Sequence, residues 1–318
     1  MKKINKITPW FLILTIIGLM AGLNFWTSEV KADQASSGTS VTNSLPVASS
    51  VSIDAAAASI TLTEATTKTV TATFTVTDNN GCEDIDSHVS TDTIAVFYRT
   101  NVASGAACTP DAENCYAMEC TQDADTCTAG GADLVATYTC TSSVQFYADP
   151  TDAGATYEAS DWTATATPRD NAGTDGTTNA DTIEMDSLTA LDVTATIAYG
   201  ALALGANTTT TDQTTVVTNT GNRQIDAQVD GYGASDSDGY AMTCTIGTFA
   251  LSYERYSTTA STDWATKTQL TDTAFTITAF DLAKGAASTK NIYWGLGLPA
   301  TGVGGSCSGK VNFTATNG

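Results

Sequence analysis

Lys68-Thr-Val-Thr-Ala-Thr-Phe-Thr-Val-Thr-Asp78 decides the fold. Val70, Ala72, Phe74 and Val76 alternate with threonine along the whole stretch, so an extended chain puts the apolar side chains on one face and hydroxyls on the other. A helix would scatter the same residues around its circumference. Threonine is β-branched, stiff at χ1 and suited to the wet face of a pleated sheet. The same alternation recurs in Ile94, Val96 and Tyr98, and again in Leu134, Ala136, Tyr138, Cys140, Val144 and Phe146. Trp162, Ala164 and Ala166 lead into a turn at Asp170-Asn-Ala-Gly173, and Thr182 to Met185 reads as a short closing strand.

Near residue 189 the pattern restarts. Leu191, Val193, Ala195, Ile197 and Tyr199 alternate. Gln213 to Thr218 and Gln224 to Val229 flank Asn219-Thr-Gly-Asn222, read as a hairpin turn in which Gly221 takes positive φ. Ile292, Trp294, Leu296 and Leu298 form a strand stopped by Pro299, Lys284-Gly285 reads as a turn, and Val311, Phe313 and Ala315 are the inward residues of the last strand. The fold class expected is all-β, two tandem Ig-like antiparallel β-sandwiches behind an N-terminal signal peptide. The expected division is a signal peptide over 1–32, a Ser/Thr-rich flexible leader over 33–50, a first sandwich over 51–188 and a second over 189–318.

Lys2, Lys3 and Lys6 precede an apolar run from Trp10 to Trp26, and Val30-Lys31-Ala32 suits signal peptidase, so cleavage after Ala32 is expected, with retention as an N-terminal anchor the alternative. No second apolar segment and no Leu-Pro-x-Thr-Gly motif follows, so the mature form is expected to have no membrane span. Cleavage removes four lysines and Glu29 and leaves 9 basic against 33 acidic residues, a formal charge of −24. That charge repels nucleic acid and anionic lipid and keeps an exported protein in solution.

The hairpin Val217-Thr-Asn-Thr-Gly-Asn222, the strand Tyr293-Trp-Gly-Leu-Gly-Leu-Pro299 and the stretch Gly-Ser-Cys-Ser-Gly-Lys-Val-Asn-Phe-Thr-Ala near the C-terminus resemble exported bacterial and archaeal surface proteins with Ig-like sandwiches. Asp78-Asn-Asn-Gly-Cys82 and Phe146-Tyr-Ala-Asp-Pro-Thr-Asp152, with the downstream Trp162, are similar in the first unit. The resemblance implies a fold and an extracellular location; turns and strand ends mark folds and say little about activity.

Eight cysteines in an exported chain argue for four disulfides. Zinc at Cys108, Cys115, Cys120 and Cys127 fits poorly, because the intervening gaps are six, four and six residues and structural zinc favours two to four within a ligand pair. Cys244 pairs naturally with Cys307. In the first unit Cys82 with Cys140, Cys108 with Cys115 and Cys120 with Cys127 is the favoured set, and Cys108 with Cys127 around Cys115 with Cys120 the alternative. Four of these cysteines lie in a stretch over 101–133 read as having no strand pattern, and hence as a stapled insertion that projects as an interaction tip or only resists proteases.

His88 lies beside Ser87, near Asp84 and Asp86, without a Gly-x-Ser-x-Gly elbow, and reads as a solvated turn residue. Asp78, Asp84 and Asp86, and separately Asp230, Asp236 and Asp238, are candidate calcium clusters, with Asx-turn chemistry as the alternative. Trp162 and Trp294 fall in register with core residues. Trp264, in Ser261-Thr-Asp-Trp-Ala265, is the candidate exposed ring for a sugar. The sequons Asn207-Thr-Thr and Asn312-Phe-Thr arise easily in a Thr-rich chain. Together these features predict a non-enzymatic secreted or cell-surface structural protein of an envelope layer, filament or adhesive contact. The alternative is a carbohydrate-binding or adhesion module presenting the cysteine-rich loop. Partners are expected to be further copies of the chain or a surface glycan or protein.

Overall fold

The computed structural model describes residues 35–85, 95–128 and 133–318. The expected signal peptide, His88 and Asp86 lie outside them. Residues 35–42 form one unit, exposed and without regular structure, and Asn43–Gly318 form the other.

The second unit is all-β and mostly antiparallel. Its N-terminal half contains β1 (Val47–Ile53), β2 (Ser59–Ile60), β3 (Thr67–Thr77), β4 (Ala95–Arg99), β5 (Cys115–Ala117), β6 (Glu119–Gln122), β7 (Val135–Gln145), β8 (Trp162–Ala166) and β9 (Asn179–Met185). They form two sheets, β1-β3-β7-β6 and β2-β9-β8-β4-β5. The C-terminal half contains β10 (Leu191–Val193), β11 (Gln213–Asn219), β12 (Ile225–Tyr232), β13 (Tyr240–Ile246), β14 (Thr248–Ala250), β15 (Glu254–Ser257), β16 (Thr268–Gln269), β17 (Phe275–Thr276), β18 (Thr289–Leu296), β19 (Gly304–Ser308) and β20 (Lys310–Asn317). Its sheets are β10-β11-β18-β15-β16, β17-β12-β20 and β14-β13-β19. Among the described residues no sheet mixes strands from the two halves. The buried apolar residues likewise fall into two clusters, one from Ala48 to Met185 and one from Val217 to Leu296.

The threonine-alternating stretch is β3, paired along its whole length with β7. Val70, Ala72, Phe74 and Val76 are at most 1% exposed, and Phe74 stacks on Tyr138 across the pair. Burying such a face contributes about 1.5–3 kcal/mol per large side chain. β1 begins at Val47, so the last residues of the expected leader are already strand.

Four local expectations change. In β4 the buried set is Ala95, Phe97 and Arg99, opposite in parity to Val96 and Tyr98. Phe97 stacks on Trp162 at 4.8 Å, and Arg99 reaches a buried carboxylate at Asp149, so ring stacking and an ion pair fix the register. The alternation from Leu191 continues as strand only to Val193.

Third, Asn219-Thr-Gly-Asn222 is not a hairpin, because β11 and β12 belong to different sheets. The Asn219 amide donates to the carbonyls of Arg223, Leu282 and Ala283, and Asn222 bonds Asp186 and Leu188, so the turn is a corner that also grips the junction between the halves. Gly221 is required there by close approach, since a Cβ would sit 2.1 Å from the Leu188 carbonyl oxygen.

Fourth, the 101–133 stretch is not a structureless insertion. Tyr116, Met118 and Cys120 are buried in the first core; β5 pairs with β4 and β6 with β7, so residues 115–122 add an edge strand to each sheet. The disulfides are Cys82–Cys127, Cys108–Cys115, Cys120–Cys140 and Cys244–Cys307, and no cysteine is free. The expected Cys82–Cys140 and Cys120–Cys127 pairs are thus exchanged. Cys120 lies directly opposite Cys140 in the β6–β7 ladder, with Cα atoms 3.9 Å apart, which commits Cys140 and leaves Cys82 for Cys127.

Candidate functional site

In the C-terminal half, alternation along Glu254-Arg-Tyr-Ser257 buries Glu254 with Tyr256. β15 pairs with β18, which places Glu254 beside Leu296, and the Glu254 carboxylate accepts a hydrogen bond from the Tyr199 hydroxyl at 2.7 Å. Burial pushes this carboxyl up to about 7, against the Tyr199 hydrogen bond that lowers it. Burial and the neighbouring Glu254 charge push the Tyr199 phenol well above its usual value.

These two residues lie in a groove of about 770 Å³. One wall is the irregular segment after β10, with Ile197, Tyr199 and Leu202; the other is β19 and β20, with Val311 and Phe313, and Met242, Phe249 and Leu296 lie between. Glu254 and Lys310 are the only ionisable side chains other than tyrosine among its lining residues. The arrangement offers apolar seats and strand backbone, with one carboxyl able to gain or lose a proton near neutral pH.

That carboxyl makes stability pH-dependent. With a folded value near 7 against an ordinary 4.5, the native state keeps a proton that the unfolded chain has released, so the stability this group contributes is fully present below pH 4.5 and is lost as pH rises through 7. The loss is about 3 kcal/mol across that window. Thermal midpoints measured at pH 5 and pH 8 should differ accordingly in the native chain and converge in Glu254→Gln, which keeps an acceptor for Tyr199 without the charge.

Trp264 is not a bare platform. A Cβ on Gly297 would come 2.6 Å from its ring, the Arg255 guanidinium lies 4.2 Å from a ring centroid, and its Nε1 donates to the Tyr253 carbonyl. The glycines of Trp294-Gly-Leu-Gly297 therefore make room for this indole. Beside it Lys267, its side chain fully buried, pairs with Asp212 at 2.7 Å and donates to the Tyr293 carbonyl.

The acidic clusters resolve into local bonding. Asp238 accepts from the backbone N–H groups of Gly233, Ala234, Ser235 and Tyr240, which hold its carboxyl well below the usual range. Asp230 accepts from Asn312 on the adjacent strand. Asp78 is buried and accepts from the Asn80 N–H; burial raises its carboxyl, with smaller additions from the charges of Asp84 and Asp170. Among the described residues no three His, Cys, Asp or Glu side chains come together as a group that could hold a metal ion. Also among the described residues, no helix is long and apolar enough to cross a membrane.

A more consequential carboxylate escaped sequence reasoning. Asp149, in the Phe146–Asp152 stretch, is buried and paired with Arg99 at 2.8 Å and with Lys284 of the C-terminal half at 2.7 Å. Its carbonyl accepts from Trp162 Nε1.

No family model matches the chain, and no curated protein matches it. Among solved structures it is similar to a chain in "Chaperone-tip adhesin complex is vital for synergistic activation of CFA/I fimbriae biogenesis", with 12% identity, a TM-score of 0.29, and coverage of 80% of this chain and 76% of that one. It is also similar to "Streptococcus agalactiae AgI/II polypeptide BspA C terminal domain (WT)", with 10% identity, a TM-score of 0.19, and coverage of 82% and 91%. Likenesses this slight identify neither a shared fold nor a role.

Proposed function

We propose that the chain is a non-enzymatic, exported structural protein of the cell surface, made of two tandem Ig-like sandwiches joined near residue 189, which acts in an envelope layer, filament or adhesive contact. The observation that carries this reading is the distribution of its disulfides. Three bridges staple the first core and one staples the second, tying β13 to β19. Disulfides of this kind persist in oxidising compartments and hold small-residue cores together where side-chain volume is modest. The acidic, threonine-faced surface suits a protein at high local density in water. Two separate clusters of buried residues, with no shared sheet, support the two-domain division.

Fractionation of the producing cells tests the reading. The protein should be found in the envelope fraction or the medium, and its intact mass should rise by eight hydrogens on reduction, as four bridges require. A cytosolic protein with thiols that react with maleimide before reduction would refute it.

A further inference from the structure

The inward faces of the strands differ in how well they are sealed, β3 being interior to its sheet with β1 on one side and β7 on the other. On β3 the inward residues are fully buried, whereas on β20 Val311, Phe313 and Ala315 remain half wet, although Phe313 meets Trp294 edge to face. β20 is an edge strand, paired with β12 on one side alone. Across the groove, residues 195–202 leave β10 with Ile197, Tyr199 and Leu202 half-buried, and no ladder joins them to β20. An unpaired strand edge beside vacant apolar seats is the physical requirement for adding a strand from another chain, with main-chain hydrogen bonds supplying affinity and alternate side chains supplying fit. β20 offers eight residues, about 26 Å of edge.

We propose that this groove takes the leader of a second copy of the chain, residues 36–45, as an added strand beside β20, with Val41 and Leu45 in its apolar seats. The proposal rests on the structural reading above and names how copies would join. Three features of the leader support it. Val41 is 80% exposed and Leu45 48%, and their spacing puts both on one face of an extended chain. Residues 35–46 belong to no strand, so donating 36–45 breaks no ladder and gives up only side-chain ties at its end, Asn43 to Asp170 and the Ser44 N–H to Asn80 among them. No charged residue occurs from Ala35 to Ile53, in a chain of formal charge −21, so this segment can enter a nearly uncharged groove without bringing carboxylates into it. Leader and groove are different parts of the chain, so the contact is heterologous and propagates head to tail into a filament.

The test is light scattering on the exported chain over a concentration series. The native protein should form progressively longer species. A leader variant, Val41→Asp with Leu45→Asp, and a groove variant, Ile197→Asp, should each lose association by on the order of 100-fold. Mixing the two should give heterodimers and nothing longer, because one supplies an intact groove, the other an intact leader, and the remaining ends are both dead. Leu202→Asp replaces Ile197→Asp should the latter not unfold cooperatively. A synthetic peptide of residues 35–47 should also dissociate native assemblies.

A leader variant that assembles like the native chain, a mixture that stays monomeric, or assemblies indifferent to the peptide would each overturn the proposal. A native chain monomeric at every concentration, with a leader variant of lowered thermal midpoint, would mean that the leader seats in its own groove, and would overturn it too. In all these cases a surface location found by fractionation leaves the broader reading standing.

Discussion

Asp149→Ala is expected to lower the thermal midpoint by roughly 10 °C, the largest effect of any single substitution considered for this chain. The Asp149 carboxylate is buried between Arg99 and Lys284, and Arg99 is itself only 8% exposed. Removing the carboxylate leaves a guanidinium in the core with Tyr157 over it at 3.7 Å and only weak oxygen partners in Thr100 and Ser160. Breaking a buried pair from one side costs about 3–5 kcal/mol, because the surviving charge keeps its desolvation penalty. Arg99→Met combined with Asp149→Leu should recover most of that loss, since a well-packed apolar pair needs no solvation. Lys284→Met should cost less, because Lys284 is partly exposed and Asp149 keeps Arg99 as its partner. A midpoint within two degrees of the native value for Asp149→Ala would show that the triad does not hold the core.

Replacing Asn114–Gln122 with a Gly/Ser linker of equal length should abolish cooperative folding of the N-terminal half. The replacement removes Tyr116 and Met118 from the core, each worth about 2–5 kcal/mol, the Cys120–Cys140 bridge, worth about 3 kcal/mol, and the short Cys108–Cys115 bridge as well. It also strips one edge strand from each sheet. Together these losses match the whole stability of an ordinary domain, about 5–15 kcal/mol. The same exchange over Ala103–Ala107, which lies outside the core cluster, should leave the unfolding transition nearly unchanged. Circular dichroism and heat capacity on both variants distinguish a strand-forming segment from a projecting loop. Equal tolerance of the two replacements would restore the loop reading.

That contrast also shows what was legible in the sequence. Long strands with clean alternation, β3, β7 and β18, are readable because burial on one face imposes a period of two over many residues. Tyr116, Met118 and Cys120 alternate in the same way, yet over a span too short to stand out among four cysteines and polar turns. The β4 parity was misread because Val96 and Tyr98 look like core residues, while the buried position goes to an arginine whose partner is 50 residues away. Long-range pairing of charges leaves no local periodic trace. Asn219–Asn222 carries every mark of a hairpin turn; whether such a turn returns within one sheet or crosses to another depends on what its side chains meet, here the carbonyls of Leu282 and Ala283. Glu254 had a usable signal, since it shares parity with Tyr256, but its carboxyl matters only beside Tyr199, which folding brings to it.

A structural protein of the cell surface must lie outside the cytoplasmic membrane in an ordered array. Immunogold labelling of unpermeabilised cells, viewed by electron tomography, should place the label outside the cytoplasmic membrane, along a continuous layer or filament. Label that shows only after permeabilisation, dispersed through the cytoplasm, would contradict it.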